Sequence, residues 1–246
     1  MSDSSTPNEQ ISNRKVWSIR RLFWRFILIV MVVFSLWELS VLARVWWWRD
    51  HNPSVSAFMR ERESQRAQAH LPPLQAHPWV PYAHISSNLK RAVLAAEDSR
   101  FLEHHGFDWE GIRLAFKKDM RKGKLVAGGS TISQQLAKNL FLSEHRSIWR
   151  KGQEALITIM IESVWPKKRI LEVYLNEIEW GDGLFGCEQA ARHYFGSSAQ
   201  GLGPEQAALL AAMIPNPRYY DHHRGHTKLQ NKTATVLARM WLVSIP

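Results

Sequence analysis

A mostly α-helical domain carried behind one membrane-crossing helix is the fold class this sequence predicts, and three observations predict it. An apolar run of spanning length lies near the N-terminus. Beyond residue 81 the apolar residues recur at helical spacing. No run of strand length alternates strongly, and no segment repeats. Once a span is subtracted from the 246 residues, roughly 200 remain, which suits one domain. The 32 Lys and Arg against 22 Asp and Glu give a net charge of +10. That surplus draws the body toward an anionic partner, whether phosphate, anionic lipid or nucleic acid. A single cysteine excludes an intramolecular disulfide; Cys187, in a helical segment with Ala190, Ala191 and Phe195, reads as a small core residue.

The span runs from Phe26 to Ala43, 18 residues interrupted by Ser35, Glu38 and Ser40, and Trp46, Trp47 and Trp48 follow it. As a helix it is long enough for a hydrocarbon core of about 30 Å. An ionised Glu38 at mid-membrane would cost about 2.5–3.5 kcal/mol, but its position toward the C-terminal end puts the interface within reach. Arg14, Lys15, Arg20, Arg21 and Arg25 precede the span, whereas Arg44 and Arg49 follow it, so the positive-inside rule puts the N-terminus in the cytoplasm and the rest outside. A cleaved signal peptide would need a small-x-small site before the Trp cluster, and a buried core helix leaves the five preceding cations unexplained. The resulting organisation is a basic cytoplasmic tail over 1–25, an anchor over 26–48, a linker and membrane-proximal segment over 49–80, and a catalytic domain over 81–246.

Each later element has its own signal. RERESQRAQAH followed by Pro72, Pro73, Pro78 and Pro81 predicts a short surface helix and then an extended connector. Leu89, Ala92, Val93 and Ala96 mark one helix; Ile132, Leu136 and Leu140 a second; Ile170, Leu171, Tyr174, Leu175 and Ile178 another. Pro204 opens a helix through PEQAALLAAMI, closed by Pro215 and Pro217. A terminal helix of unassigned role covers roughly 228–245.

Three polar segments carry the chemistry. In AVLAAEDSRFLEHHGFD, Glu97 and Asp98 end an apolar helix, where the negative end of its dipole disfavours them. A functional carboxylate and a surface acidic pair both account for that placement. In GGSTISQQLAKNLFL, Thr131, Gln135, Lys138 and Asn139 fall away from the apolar stripe, and Ser130 reads as the N-cap after Gly128 and Gly129. The basic stretch KKDMRKGKLVAGG ahead of it reads as a surface loop. In RSIWRKGQEALITIMIESVW, Arg150, Glu154, Thr158 and Glu162 recur every four residues on a helix otherwise nearly apolar from Ala155 to Trp165. Such a helix is expected to be buried, its polar stripe facing a cleft or a structural ion-pair network.

The leaving group separates the chemistries these residues could perform. Expelling a sugar alkoxide needs a carboxylic acid, for which Glu154 beside Arg150 and Lys151 is poorly suited. Expelling a diphosphate needs cations instead, and Lys138, Arg150 and Lys151 are available.

These segments resemble the peptidoglycan glycosyltransferases, glycosyltransferase family 51. Glu97-Asp98-x-x-Phe101-x-x-His104-x-Gly106 is similar to the family's first motif. Gly129-Ser130-Thr131-Ile132-Ser133-Gln134-Gln135 with Lys138-Asn139 resembles the second, with Ser133 where Thr is usual. Arg150-Lys151-x-x-Glu154 resembles the third, and Lys167-x-x-Ile170-Leu171-Glu172-x-Tyr174-Leu175-Asn176 the fourth; Gly181 to Pro217 follows the closing pattern. The resemblance covers about residues 80–220 and implies a mostly α, lysozyme-like, two-lobed domain with a membrane-facing lobe. It implies polymerisation of lipid II into β-1,4 glycan strands, with inversion and release of undecaprenyl diphosphate.

By that resemblance Glu97 is the general base and Glu154 the second catalytic carboxylate, orienting the cations or a metal or stabilising charge on the sugar. Lys138, Arg150 and Lys151 bind the diphosphate, Ser130, Thr131, Gln135 and Asn139 line the donor site, and Asp98, Phe101, His104 and Gly106 support the first motif. No protein metal site and no obligatory cofactor are implied, although Mg²⁺ or Mn²⁺ could sit at the diphosphate. The implied partners are lipid II, the growing lipid-linked chain, the membrane and other wall-synthesis proteins, not nucleic acid. The implied location is the bacterial inner membrane, single-pass, with the catalytic domain periplasmic. Ser12-x-x-Lys15 and Ser87-x-x-Lys90 match a transpeptidase element by chance, since no Lys-Thr-Gly follows. Two alternatives remain: a lytic transglycosylase or muramidase, and a non-catalytic membrane-anchored partner of a synthase. His222, His223 and His226 lack nearby Cys or acidic ligands and read as a solvated loop.

Overall fold

Residues 7–75, 77–113, 129–145 and 147–246 are described by the structure, a computed structural model. The basic stretch over 117–128, Gly128 included, lies outside the described residues. Two compact units divide the chain, residues 1–44 and 45–246. Helix α1 (Pro7–Trp48) makes up the first, and its final turn opens the second. The stretch Arg20–Trp48 is long and apolar enough to cross a membrane. Leu28, Met31 and Val33 present more than half of their surface, as a lipid-facing helix does. Helical structure begins well before the apolar run, so the flanking cations Arg20, Arg21 and Arg25 ride on the same helix.

Among the described residues the second unit is helical apart from one small hairpin. In chain order it contains α2 (Ala57–Gln68), α3 (Ser87–Glu97), α4 (Ile132–Phe141), α5 (Ile148–Val164), α6 (Lys167–Glu177), β1 (Glu179–Gly181), β2 (Leu184–Phe185), α7 (Cys187–Phe195), α8 (Pro204–Met213), α9 (Pro217–His222) and α10 (Thr227–Arg239). One group packs α3 against α8 and α10; another packs α4 against α2, α5 and α6. Leu89 and Leu94 fill the first, and Ile132, Leu136, Leu140, Ile157, Ile161 and Ile170 the second, all with essentially no exposed surface. The antiparallel pair β1–β2 turns through Asp182-Gly183, and Gly183 takes φ +71°; a three-residue strand shows too little alternation to be read beforehand. Cys187 opens α7 fully buried, and burial pushes its thiol up to about 12.

Four sequence expectations change. The membrane-proximal helix α2 is no mere surface element, because Phe58, Met59 and Arg62 are buried. Arg62 grips Glu179 with two hydrogen bonds of 3.0 and 2.8 Å and reaches Glu144 at 2.7 Å. Those partners stand 117 and 82 residues away, so the run RERES reads in isolation as a solvated charge cluster. Helix α5 is buried on one face only: Ile157 and Ile161 are inside, while Ile148, Trp149, Leu156 and Ile159 are exposed. The N-cap of α4 is Thr131 rather than Ser130. Its hydroxyl accepts the Gln134 N–H, and the Gln134 side chain accepts the Thr131 N–H at 3.0 Å, a reciprocal box that Ser130 lacks. The terminal helix ends at Arg239, and a 3₁₀ turn over Met240–Leu242 follows.

The connector is tied to the body rather than loose. Asn176 brackets Val80, accepting its N–H at 2.8 Å and donating to its carbonyl at 2.9 Å, and Glu172 accepts the Tyr82 N–H at 2.9 Å. Beside it Glu177 is fully buried, faced by His77 and Ser56, and neither carboxylate oxygen has a hydrogen bond of ordinary length among the described residues. The His77 Nε2 lies 3.8 Å away, an ion-pair distance too long for a hydrogen bond. Burial pushes the Glu177 carboxyl above its usual range, partly offset by His77.

Candidate active site

Helix α3 ends by delivering two carboxylates in different directions. Glu97 is its last residue, and Asp98 is the C-cap, with an extended φ of −159° that turns its side chain away. Asp98 is buried and engages His104 Nε2 at 2.9 and 3.1 Å, while its Oδ2 accepts the Ile132 N–H at 3.0 Å. A carboxylate on a first-turn amide suits the positive end of a helix. Asp98 therefore binds the first motif to the start of α4. Thr131 adds a second tie by donating to the Gly106 carbonyl at 2.7 Å. Gly106 sits at φ +88°, where an added Cβ would lie 2.8 Å from Thr158 Cγ2 on α5, so the first, second and third polar segments meet at this glycine. Phe101 is buried beneath Lys167, whose ammonium stands 4.4 Å over its ring and 2.8 Å from Glu162.

Glu97 faces the other way and is held on both oxygens. Gln135 Nε2 donates to Oε2 at 2.9 Å, and Lys232 Nζ lies 3.4 Å from Oε1. Gln135 is in turn oriented by Tyr174, whose hydroxyl donates to Gln135 Oε1 at 2.7 Å. Tyr174 is fully buried, and burial, then Glu97 and Asp98, push its phenol well above the usual range, so it remains a donor. Glutamine has one acceptor and one donor end, so a fixed hydroxyl at the first aims the second at Glu97.

One turn beyond Gln135, α4 presents Lys138 to a cationic cluster. Arg150 donates to Glu154 Oε2 at 2.8 Å, and Lys151 pairs with Oε1 of the same carboxylate. Lys151 also lies 3.4 Å from the Ser130 hydroxyl, which brings the donor-side serine to the cluster. Lys138 has no ion pair among the described residues and stands 5.2 Å over the Phe58 ring. Burial, followed by the charges of Arg150 and Lys151, lowers its pKa against the opposing pull of Glu154. Three cations gather around one buried carboxylate, with Glu144 a second acid acting on Lys138, so positive charge is in excess, and the buried Arg150 Nε has no hydrogen-bond partner among the described residues. Such a cluster is built to take an anion.

Asn139, buried, donates to the Gln135 carbonyl at 2.9 Å. It also lines a cavity of about 300 Å³ with Gln135, Lys138, Arg62, Asn216 and Arg218. Glu97 and Glu154 stand outside that lining, so the cavity extends the site beyond the two acids. Among the described residues no three His, Cys, Asp or Glu side chains converge to hold an ion. The one acid in the cluster, Glu154, has both oxygens taken by cations. With those oxygens taken, this donor set does not fit a protein-held metal. His222, His223 and His226 are exposed, and His222 lies 3.9 Å from Asp182.

Sequence reading missed Tyr174, Arg62 and Lys232 as site residues. Tyr174 belongs to the apolar stripe of α6, and nothing local marks its hydroxyl as a contact of Gln135. Lys232 did carry a signal: it falls between the buried Leu229 and Val236 at offsets of three and four, on a face that should be apolar.

The Transglycosylase family model matches residues 65–241 of this chain. Among similar proteins, a biosynthetic peptidoglycan transglycosylase of Chromobacterium violaceum is 53% identical over 226 residues, covering 92% of this chain and 99% of the relative. One of Methylobacillus flagellatus is 54% identical over 228 residues, covering 93% and 100%. Another, of Dechloromonas aromatica, is 55% identical over 215 residues, covering 87% and 93%.

Proposed function

The chain belongs to the transglycosylase family, and from that premise we propose that Glu97 is the base and the Lys138–Arg150–Lys151 cluster the diphosphate site of a glycan polymerase. The enzyme is a peptidoglycan glycosyltransferase that builds glycan strands. Its donor and acceptor are lipid-diphosphate-linked sugars, with lipid II as monomer. The acceptor 4-hydroxyl attacks the donor anomeric carbon, Glu97 takes the hydroxyl proton, and the bond to the diphosphate breaks with inversion. The departing negative charge falls to Lys138, Arg150 and Lys151, so no acid is needed at the leaving oxygen. Glu154 holds Arg150 and Lys151 in place for that task. Asn139, Ser130 and Thr131 border the donor side, and Thr131 acts through the cap of α4 rather than by contact.

The observation that carries the reading is the pairing of two unlike ends on one helix. Gln135 of α4 braces a carboxylate that takes a donor on each oxygen. Lys138, three residues on, joins a cluster with surplus positive charge. A lytic enzyme needs a proton donor, and both acids here are occupied by donors. The helix Arg20–Trp48 supports a single-pass placement in the inner membrane with the N-terminus cytoplasmic and the body outside, and the exposed Ile148, Trp149, Leu156 and Ile159 suit a face against lipid. Other wall-synthesis proteins are natural partners at that surface.

Detergent-solubilised protein incubated with labelled lipid II should give polymer that muramidase digests. Glu97→Gln should lower the rate by about 10²–10⁴-fold with an unchanged unfolding midpoint, because an amide keeps the shape but takes no proton. Folded Glu97→Gln with wild-type activity would remove the base assignment. Cleavage of preformed glycan without polymer would favour the lytic reading.

A further inference from the structure

The terminal helix α10 carries a residue that the reaction described above has not used. Its inward stripe is Leu229, Val236 and the following Met240, all buried, and it packs on α8 and α3. Lys232 lies on that stripe, three residues after Leu229 and four before Val236. A lysine at such a position is held by a partner or snorkels out. Its side chain is 32% exposed, and its ammonium reaches Glu97 Oε1 at 3.4 Å, where the Glu97 side chain is 11% exposed. The other oxygen of that carboxylate takes Gln135 Nε2 at 2.9 Å.

These contacts come from different helical groups. Gln135 belongs to the helix that also bears Lys138, whereas Lys232 comes from a helix that closes the group around α3. The terminal torsion of a glutamate is broad and two-fold. One donor leaves the carboxylate plane free to turn about its contact, but two donors on different oxygens fix it. We infer that Lys232 is a positioning residue that holds the Glu97 carboxylate in the plane that receives the acceptor hydroxyl, making α10 part of the catalytic apparatus. The inference rests on the role of Glu97 proposed above. Loss of the grip leaves the base present but misaimed, and misplacement on the order of 1 Å is enough to cost about 10²-fold in rate.

The test is Lys232→Met, which keeps the stem and removes the charge, beside Lys232→Arg. Polymerisation rate at saturating lipid II, affinity for lipid II in a Glu97→Gln background, and unfolding midpoint are read for each. Positioning predicts a rate for Lys232→Met lower by roughly 10–100-fold, affinity unchanged within about twofold, an unchanged midpoint, and recovery of most of the rate in Lys232→Arg. A rate within about twofold of wild type overturns the inference. So does weakened lipid II affinity at an unchanged saturating rate, which marks an anion-binding lysine. A lowered midpoint that accounts for the lost activity marks a packing residue and overturns it as well. Failure of the wild-type chain to polymerise lipid II would instead strike the functional reading itself.

Discussion

Gly106→Ala tests the joint at which the three polar segments meet. Two costs can be separated from the geometry. At φ +88° a side chain pays for left-handed backbone, about 1–2 kcal/mol. The new methyl would also stand 2.8 Å from Thr158 Cγ2 and 3.1 Å from Glu162 Cγ, and overpacking of that kind costs about 1–3 kcal/mol. The single variant should therefore lose about 2–5 kcal/mol. Thr158→Ser removes the clashing methyl while keeping the hydroxyl that donates to the Glu154 carbonyl at 2.6 Å, at a cost of about 1 kcal/mol. Combined with Gly106→Ala it should recover part of the clash and none of the backbone strain. The double variant is thus predicted to be more stable than the sum of the singles by part of that clash cost, about 1–2 kcal/mol. Denaturant unfolding of the four proteins completes the cycle. Strict additivity would show that the methyl contact does not limit this site, and a stable Gly106→Ala would refute both parts of the reasoning.

Two further outcomes follow from the buried charges. Lys138→Ala should weaken lipid II binding by about 10–100-fold, since a hydrogen bond to a charged group contributes about 1.5–3 kcal/mol. Burial and its cationic neighbours lower the Lys138 pKa, so wild-type affinity is present at neutral pH and is lost as pH rises, earlier than for an ordinary lysine; Lys138→Arg should flatten that decline. Wild-type binding by Lys138→Ala would remove the diphosphate role. Glu177 titrates in the opposite sense: its carboxyl is raised by burial, so the native state keeps a proton that the unfolded chain has released. Its contribution to stability is present below the unfolded carboxylate value and falls as pH rises through the raised one. The stability of Glu177→Gln relative to wild type should grow as pH rises above the ordinary carboxylate range. A pH-independent difference in unfolding midpoint would show that the carboxylate is compensated.

Periodicity and caps by themselves determined the helical class, the apolar N-terminal stretch and the place of several helices, because they are local. Pro204 at the start of α8 and the Leu89–Val93 face of α3 need only neighbours three or four residues away. Motif order alone also named the residues Glu97, Lys138, Arg150, Lys151 and Glu154. What those residues touch is a different kind of information. Ser130 and Thr131 compete for one cap, and the outcome depends on a Gly106 carbonyl 25 residues upstream that accepts from Thr131. The polar stripe of α5 was legible, but which apolar flank would be covered was not, since Ile157 and Leu156 are chemically alike and only packing against α4 separates them. Lys232 and Glu97 stand 135 residues apart. Tertiary structure alone decided that they share a site, because a charge in a sequence has a sign and a place on its helix but acquires a partner only when the helices pack.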